Sequence, residues 1–383
     1  MKKITAIIKI IIRYMTFIIP RRKSVVIFGS WFGQKFSDNA KYLYLACQND
    51  NNLRAIWISK NDGVIKYLND KGYEAYRWNS LKALYYQLIA KTYFTTTGKE
   101  DVQYYLMGSA KHIELWHGIP LKKIMYDNNF FDEGNKIVKN IKRIINRIFN
   151  NKYYVLSSSN QIGSIYKSAF RVVDKNILQF GQPRNDVFYE ENLEDYEFPQ
   201  YFKEKKIILY MPTHRNEGKT KIDVSKLFDL DLIDNICKDN NCIFVVKKHY
   251  YHKKENDNIH EYNNIVELTN EDIDSQMLLK YTDILITDYS SCFIDYLLLD
   301  KPIIFYNYDM NDYILNDREL YFNYEEITPG VKITNSDDVV IELKKILQGQ
   351  DNYIEQRAKV KKVFYSNSVQ RIVSNKIIDF IKA

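Results

Sequence analysis

The 383-residue chain has little of what cross-links or interrupts a fold. Its four cysteines, Cys47, Cys237, Cys242 and Cys292, are scattered and form no C-x-x-C pair. That excludes a disulfide framework, disfavours a structural zinc site and leads us to expect the reducing cytoplasm. Thirteen glycines and seven prolines exclude a collagenous, linker-rich or mostly disordered chain. Also missing are G-x-x-x-x-G-K-[ST], G-x-G-x-x-G, H-E-x-x-H and G-x-S-x-G, which disfavours P-loop NTPases, fingerprint dinucleotide enzymes, zincins and α/β-hydrolases. No acidic pair stands out as the holder of a divalent metal on a nucleotide. We therefore expect no cofactor and single out no metal ligand, with the metal requirement left open, and a bound diphosphate would have to be neutralised by cations and helix dipoles.

What is present is a globular composition, 45% hydrophobic and 27% charged, in a length that suits two or three folded units. The net charge of +7 favours anionic partners such as phosphates, acidic lipids or polymers, without the bias of a nucleic-acid binder. Aromatics reach 15%, most of them Tyr, and carry no functional weight.

The apolar stretch Ile4–Ile19 is interrupted by Lys9 and Arg13 and lacks a small-residue cleavage site. It is too short to span a bilayer, so we expect a helix in the membrane interface with Lys9 and Arg13 snorkelling; a buried N-terminal helix is the alternative. A second segment, 136–149, puts Ile137, Ile141, Ile144, Ile145 and Ile148 on one helical face against Lys136, Lys139, Lys142, Arg143 and Arg147. Five cations without an acid suit an anionic membrane surface.

Short apolar runs alternate with helical patterns, which indicates parallel sheets covered on both faces. A first set comprises Ser24–Phe28, Arg54–Ile58, Tyr93–Thr97, His112–Trp116 and Tyr153–Leu156. Gly181–Asp186 breaks the pattern, and the acidic and aromatic stretch Glu190–Tyr201 that follows reads as a connection. A second set comprises Lys206–Tyr210, Cys242–Val246, Asn264–Glu267, Asp283–Thr287 and Pro302–Tyr306. The expected organisation is an interfacial helix over 1–22, a domain over 23–185 that carries the base, a second domain over 186–360 that holds the donor, and a C-terminal helix over 361–383 that crosses back.

Ligands of open parallel sheets bind beyond the carboxyl ends of the strands, and the chemistry-bearing residues cluster there. His117 closes Leu115-Trp116-His117-Gly118-Ile119-Pro120, where an imidazole can act as general base. Thr213-His214-Arg215 follows a strand broken at Pro212 and offers a hydroxyl and a guanidinium fork to phosphate. Lys247-Lys248-His249 ends another strand. Asp288-Tyr289-Ser290-Ser291 stands where a helix starts, and two hydroxyls there exceed what one cap needs. Each has a plainer explanation: a structural histidine, a salt-bridged arginine, solvated lysines, a capping serine.

Taken together, Trp116-His117-Gly118, Gly181–Asp186, Tyr210–Arg215, Lys247–His249, Ile286–Ser291 and Glu325-Glu326-Ile327-Thr328-Pro329-Gly330 resemble the CDP-glycerol glycerophosphotransferase family of bacterial teichoic acid and capsule enzymes. The resemblance implies an α/β, GT-B-like fold, two Rossmann-like domains with parallel sheets facing across a cleft. It implies transfer of a polyol phosphate from CDP-glycerol or another CDP-polyol to a hydroxyl of a lipid-linked glycan or polymer, with release of CMP. His117 would take the proton, His249 and Arg215 would neutralise the diphosphate, and Ser290 and Ser291 would hold phosphate oxygens. Gly118, Thr213, Lys247 and Asp288 complete the expected substrate site, with Glu326 on the ribose and Glu267–Asn270 reading the cytosine. The expected location is the cytoplasmic face of the cell membrane, bound peripherally. The alternatives are a GT-B glycosyltransferase using a nucleotide sugar and a non-catalytic protein of anionic membranes.

Overall fold

The computed structural model describes residues 2–128, 152–190, 202, 204–215, 220–248, 261–269, 273–310, 313, 319–366 and 372–383. The chain divides into two compact units: Met1–Ile119, Met125–Tyr189 and Tyr365–Ala383 form the first, Pro120–Ile124 and Glu190–Phe364 the second.

Among the described residues the first unit is built on seven strands, β1 (Arg22–Phe28), β2 (Arg54–Ser59), β3 (Ala75–Arg77), β4 (Ala90–Thr95), β5 (Lys111–Glu114), β6 (Tyr153–Ser157) and β7 (Ile177–Gln179), in the order β3-β2-β1-β4-β5-β6-β7. Every pairing is parallel. The second unit has β8 (Lys206–Tyr210), β9 (Cys242–Val246), β10 (Ile265–Glu267), β11 (Thr282–Thr287), β12 (Ile303–Tyr306) and β13 (Val331–Ile333), ordered β10-β9-β8-β11-β12-β13 and again parallel.

These strands are apolar on both faces because both faces are covered. Ile208, Tyr210, Phe244, Val246, Ile284 and Ile286 share one core with Ile233 and Ile236 of the helix Leu230–Asp239 and with Val339, Val340 and Leu343 of the helix Ser336–Leu347. The alternate residues Ile207, Leu209, Ile243, Val245 and Leu285 are buried as well. In each sheet the strand order reverses at one place, between β1 and β4 and between β8 and β11. A crevice opens at such a reversal beyond the strand ends.

Three strands escape the sequence pattern: β3, β7 and β13. Each has three residues at a sheet edge, and their mixed burial leaves no apolar run. Of the connection expected over Glu190–Tyr201, residues 191–201 lie outside the described residues. Pro183–Phe188 forms tight helical turns in which Pro183 to Val187 are all buried. Asp186 there accepts the amides of Val373 at 2.6 Å and Ser374 at 2.9 Å, closing the N-terminus of the last helix, Val373–Lys382.

The N-terminal helix Lys2–Met15 turns its charges the opposite way from the expectation. Lys9 pairs with Glu100 at 3.5 Å and lies over the Tyr105 ring, and Arg13 donates to the Tyr104 carbonyl at 3.0 Å. Neither snorkels, because a lysine and an arginine four residues apart lie on the same helical face as Thr16 and Phe17, which pack on Gly108. A Cβ on Gly108 would stand 2.3 Å from the Arg13 carbonyl oxygen. The outer face is consequently apolar: Ile7, Ile8, Ile11, Met15 and Ile18 are each at least half exposed. The segment 136–149 lies outside the described residues.

Replacing Asp186 by Ala removes both acceptors at the end of Val373–Lys382. We predict a loss of about 1–2 kcal/mol in stability, with amide exchange accelerating most in that helix, measured by denaturant unfolding and hydrogen exchange.

Candidate active site

At the β1/β4 reversal of the first unit, Ser30 and Thr96 follow the two central strands and their hydroxyls meet at 2.9 Å. His117 follows β5, and its Nδ1 lies 2.8 Å from the Thr96 carbonyl oxygen. A carbonyl can only accept, so Nδ1 carries the proton and Nε2 keeps its lone pair. Desolvation chiefly lowers the His117 pKa below 6.5, aided by Arg184 and opposed by the Thr96 hydrogen bond and by Asp38. The imidazole is therefore neutral near pH 7 and able to take a proton at Nε2. The ring is flanked by Trp116, with centroids 4.1 Å apart, and Trp31, at 5.7 Å.

The backbone around His117 is held under strain. Among the described residues nine non-glycine positions have positive φ, and four of them, Trp31, Phe32, Asp38 and Trp116, belong to this cluster. Such conformations cost about 1 kcal/mol or more each and gather at functional sites. Polar contacts hold them. Asn39 donates to the carbonyls of Leu115 and Trp116 and accepts the Arg184 amide at 3.1 Å. Arg184 donates to the His117 carbonyl at 2.9 Å and pairs with Asp38 at 3.3 Å, while the Trp31 indole N–H donates to Asp38. Gly118 has φ 138°, and a Cβ there would stand 2.8 Å from Arg184 Nη2. Its place in the site is to let Arg184 pass. Behind these residues Glu114 accepts from the Thr95 hydroxyl at 2.7 Å and from the Trp116 amide at 3.2 Å. Burial, reinforced by Asp101, pushes its pKa up to about 8.

At the β8/β11 reversal of the second unit the structure brings together Thr213, Arg215 and Asp288. Asp288, fully buried, accepts the Thr213 amide at 2.9 Å and the Tyr289 amide, and it pairs with Arg215 at 2.8 Å. Arg215 also binds Asp309 in a fork, at 2.6 and 3.0 Å, and donates to the Thr213 carbonyl. Tyr289, Tyr308 and Tyr313 place their rings 5.1 to 5.5 Å from the guanidinium. Burial works to lower the Arg215 pKa, but the two carboxylates raise it, so its charge is permanent. The guanidinium expected to meet a diphosphate is committed to Asp288 and Asp309. The buried Asp288 likewise holds backbone and arginine.

The remaining expected residues fall around this centre. Lys247 Nζ donates to the Leu268 carbonyl at 2.8 Å. Lys248 is the buried lysine of the pair, held by Glu267 at 3.2 Å and the Ile222 carbonyl at 3.3 Å. Glu267 and the Leu268 carbonyl are thus occupied by lysines, and Asn270 lies outside the described residues, as does His249. Ser290 accepts the Cys292 amide at 3.4 Å, and Ser291 makes no capping hydrogen bond. The helix after them, Cys292–Tyr296, has five residues, so it supplies little dipole. Glu326, exposed in the short helix Tyr324–Ile327, accepts from Asn323 at 3.3 Å.

Asp38, Asp101, Arg184 and Asp309 do not stand out in the sequence as site residues. Their signal is position: Arg184 lies inside Gly181–Asp186, and Asp101 and Asp309 stand in the segments that follow strand ends.

Residues 11–382 match the model of the family described as CDP-Glycerol:Poly(glycerophosphate) glycerophosphotransferase. The teichoic acid poly(glycerol phosphate) polymerase of Bacillus spizizenii is 31% identical over 86% of this chain and 85% of its own. The teichoic acid glycerol-phosphate transferase of Staphylococcus aureus is 28% identical over 90% of this chain and 88% of its own. The structure of the wall teichoic acid polymerase TagF superposes with a TM-score of 0.72 at 26% identity, covering 99% of this chain and 94% of that one. The fold is accordingly α/β and GT-B-like, with two parallel sheets. Its reversal-point geometry and its match over nearly the whole sequence agree: the chain belongs to the CDP-glycerol glycerophosphotransferase family of enzymes.

Proposed function

We propose that this chain transfers glycerol phosphate from CDP-glycerol to a hydroxyl of a membrane-linked acceptor in teichoic acid or related surface-polymer synthesis, releasing CMP. The observation that carries the reading is the neutral His117, with Nδ1–H on a carbonyl and the Nε2 lone pair available. The family's description supports the donor, and so does the structure of a histidine-to-asparagine variant of TagF soaked with CDPG, at TM-score 0.72.

In this reading the acceptor hydroxyl attacks the β-phosphorus of CDP-glycerol while Nε2 of His117 takes its proton. A P–O bond to the acceptor forms, the P–O bond to CMP breaks, and a phosphodiester remains. His249, Lys247, Ser290 and Ser291 hold the diphosphate, and Glu326 binds the ribose. Arg215 acts one step back. Clamped by Asp288 and Asp309, it fixes the loops after β8 and β11 against each other.

The membrane partner is met by the N-terminal helix. Its exposed face carries Ile7, Ile8, Ile11, Met15 and Ile18, while Lys9 and Arg13 are engaged inward. Apolar insertion rather than charge drives this contact, since burying an exposed isoleucine is worth about 1.5–3 kcal/mol. No described helix is long and apolar enough to cross a membrane. The chain acts peripherally, on the cytoplasmic face.

Purified protein should release CMP from CDP-glycerol when membranes supply acceptor, and should leave nucleotide sugars intact. His117→Ala should lower turnover by about 100-fold or more at nearly unchanged KM for CDP-glycerol, the scale of a lost general base. Because the pKa is lowered, kcat/KM should stay flat near pH 7 and fall only on the acid side of 6.5. A wild-type rate in the alanine variant removes His117 from the chemistry. For Arg215, replacement by Lys should fail to restore what Ala loses in nucleotide affinity, because an ammonium cannot span two carboxylates as the fork does. Calorimetry with CDP-glycerol decides this, and equal affinities for Lys and wild type would contradict it. Ile7, Ile11 and Ile18 changed together to Ser should abolish sedimentation with vesicles at any salt concentration while activity on a soluble acceptor analogue persists.

A further inference from the structure

We propose that Asp101 is the positioning residue that fixes the protonation pattern of His117, an inference that rests on the reading of His117 as the base. An imidazole in water exchanges its proton between two nitrogens. At His117 the choice is made by the Thr96 carbonyl, 2.8 Å from Nδ1. That carbonyl is one end of the planar, trans peptide unit whose other end is the Thr97 N–H. Holding the N–H therefore aims the carbonyl. Asp101 Oδ2 accepts this N–H at 2.8 Å and the Thr96 N–H at 2.7 Å.

The other oxygen, Oδ1, accepts the Phe32 amide at 2.6 Å and the Thr97 hydroxyl. Asp101 thus ties the strained turn after β1 to the same peptide that faces His117. It is itself immobilised: the side chain is fully buried, and its carbonyl lies where a Cβ on Gly29 would come within 2.4 Å. A carboxylate suits the place because it offers acceptors only. An amide would turn N–H donors toward at least one N–H donor of the cluster. The charged groups acting on His117 are Asp38, Arg184 and Asp101, with Glu114 beyond Asp101, and only Asp101 holds the peptide that contacts the ring.

The test uses the full chain carrying ring-15N histidine, with the His117 signal assigned by its loss in His117→Gln. Near pH 7 the wild type should show Nδ1 protonated and Nε2 bare. In Asp101→Asn and Asp101→Ala the signal should move toward the average of both tautomers. Turnover should fall about tenfold or more, with KM for CDP-glycerol changed by less than about twofold. A wild-type His117 signal in folded Asp101→Ala overturns the proposal, even if the melting temperature drops. Should that variant not fold, the same result in Asp101→Asn overturns it. A moved signal with undiminished turnover upholds the role of Asp101 and removes the basic role of His117.

Discussion

The rest of the structure depends on how a parallel sheet disposes of the backbone amides beyond its central strands. Those amides point into the crevice where neighbouring connections diverge, and buried amides must find acceptors. Both units solve this with one buried carboxylate. Asp101 takes the amides of Thr96 and Thr97 beyond β4, and Asp288 takes those of Thr213 and Tyr289 beyond β8 and β11. Loops secured in this way keep one shape, and reactive side chains borrow their precision from it.

The two carboxylates differ in how their own charge is balanced. Asp288 has Arg215, which Asp309 grips from the other side within a ring of tyrosines. Removing Arg215 would strand the buried Asp288 carboxylate, which is costlier than never having had the pair. Asp101 is met by amides and a hydroxyl, so its field is spent on the turn that faces His117. One unit thus balances its carboxylate with a guanidinium, and the other uses its carboxylate beside a neutral imidazole.

Much of this was legible in the sequence, for identifiable reasons. Strands such as Lys206–Tyr210 and Cys242–Val246 were read to the residue because burial on both faces writes an unbroken apolar run. The three-residue edge strands β3, β7 and β13 write none. His117, Arg215 and Asp288 stand out because chemistry gathers at strand ends, yet their pairings do not: Asp309, the second partner of Arg215, lies 94 positions away, and only the fold brings them together. The left-handed turns at Trp31 and Trp116 leave no mark in composition, since those residues adopt them under tertiary constraint. The N-terminal helix shows the limit of periodicity. Its apolar stripe was evident, but a stripe does not say which side faces the protein, and the inward pairing of Lys9 and Arg13 was decided by Glu100 and Tyr104.

The interleaving of the two units has a consequence for how such a protein can be divided or recombined. The first unit draws on three separate stretches of the chain, and the five residues Pro120–Ile124, directly after the His117 loop, belong to the second. No single cut yields either unit whole. A gene shortened before Tyr365 would encode a first unit without Val373–Lys382, leaving the buried Asp186 carboxylate with nothing to cap. Exchange of donor specificity between relatives by swapping contiguous segments would therefore carry pieces of the other unit along, and only changes made within loops leave both cores intact.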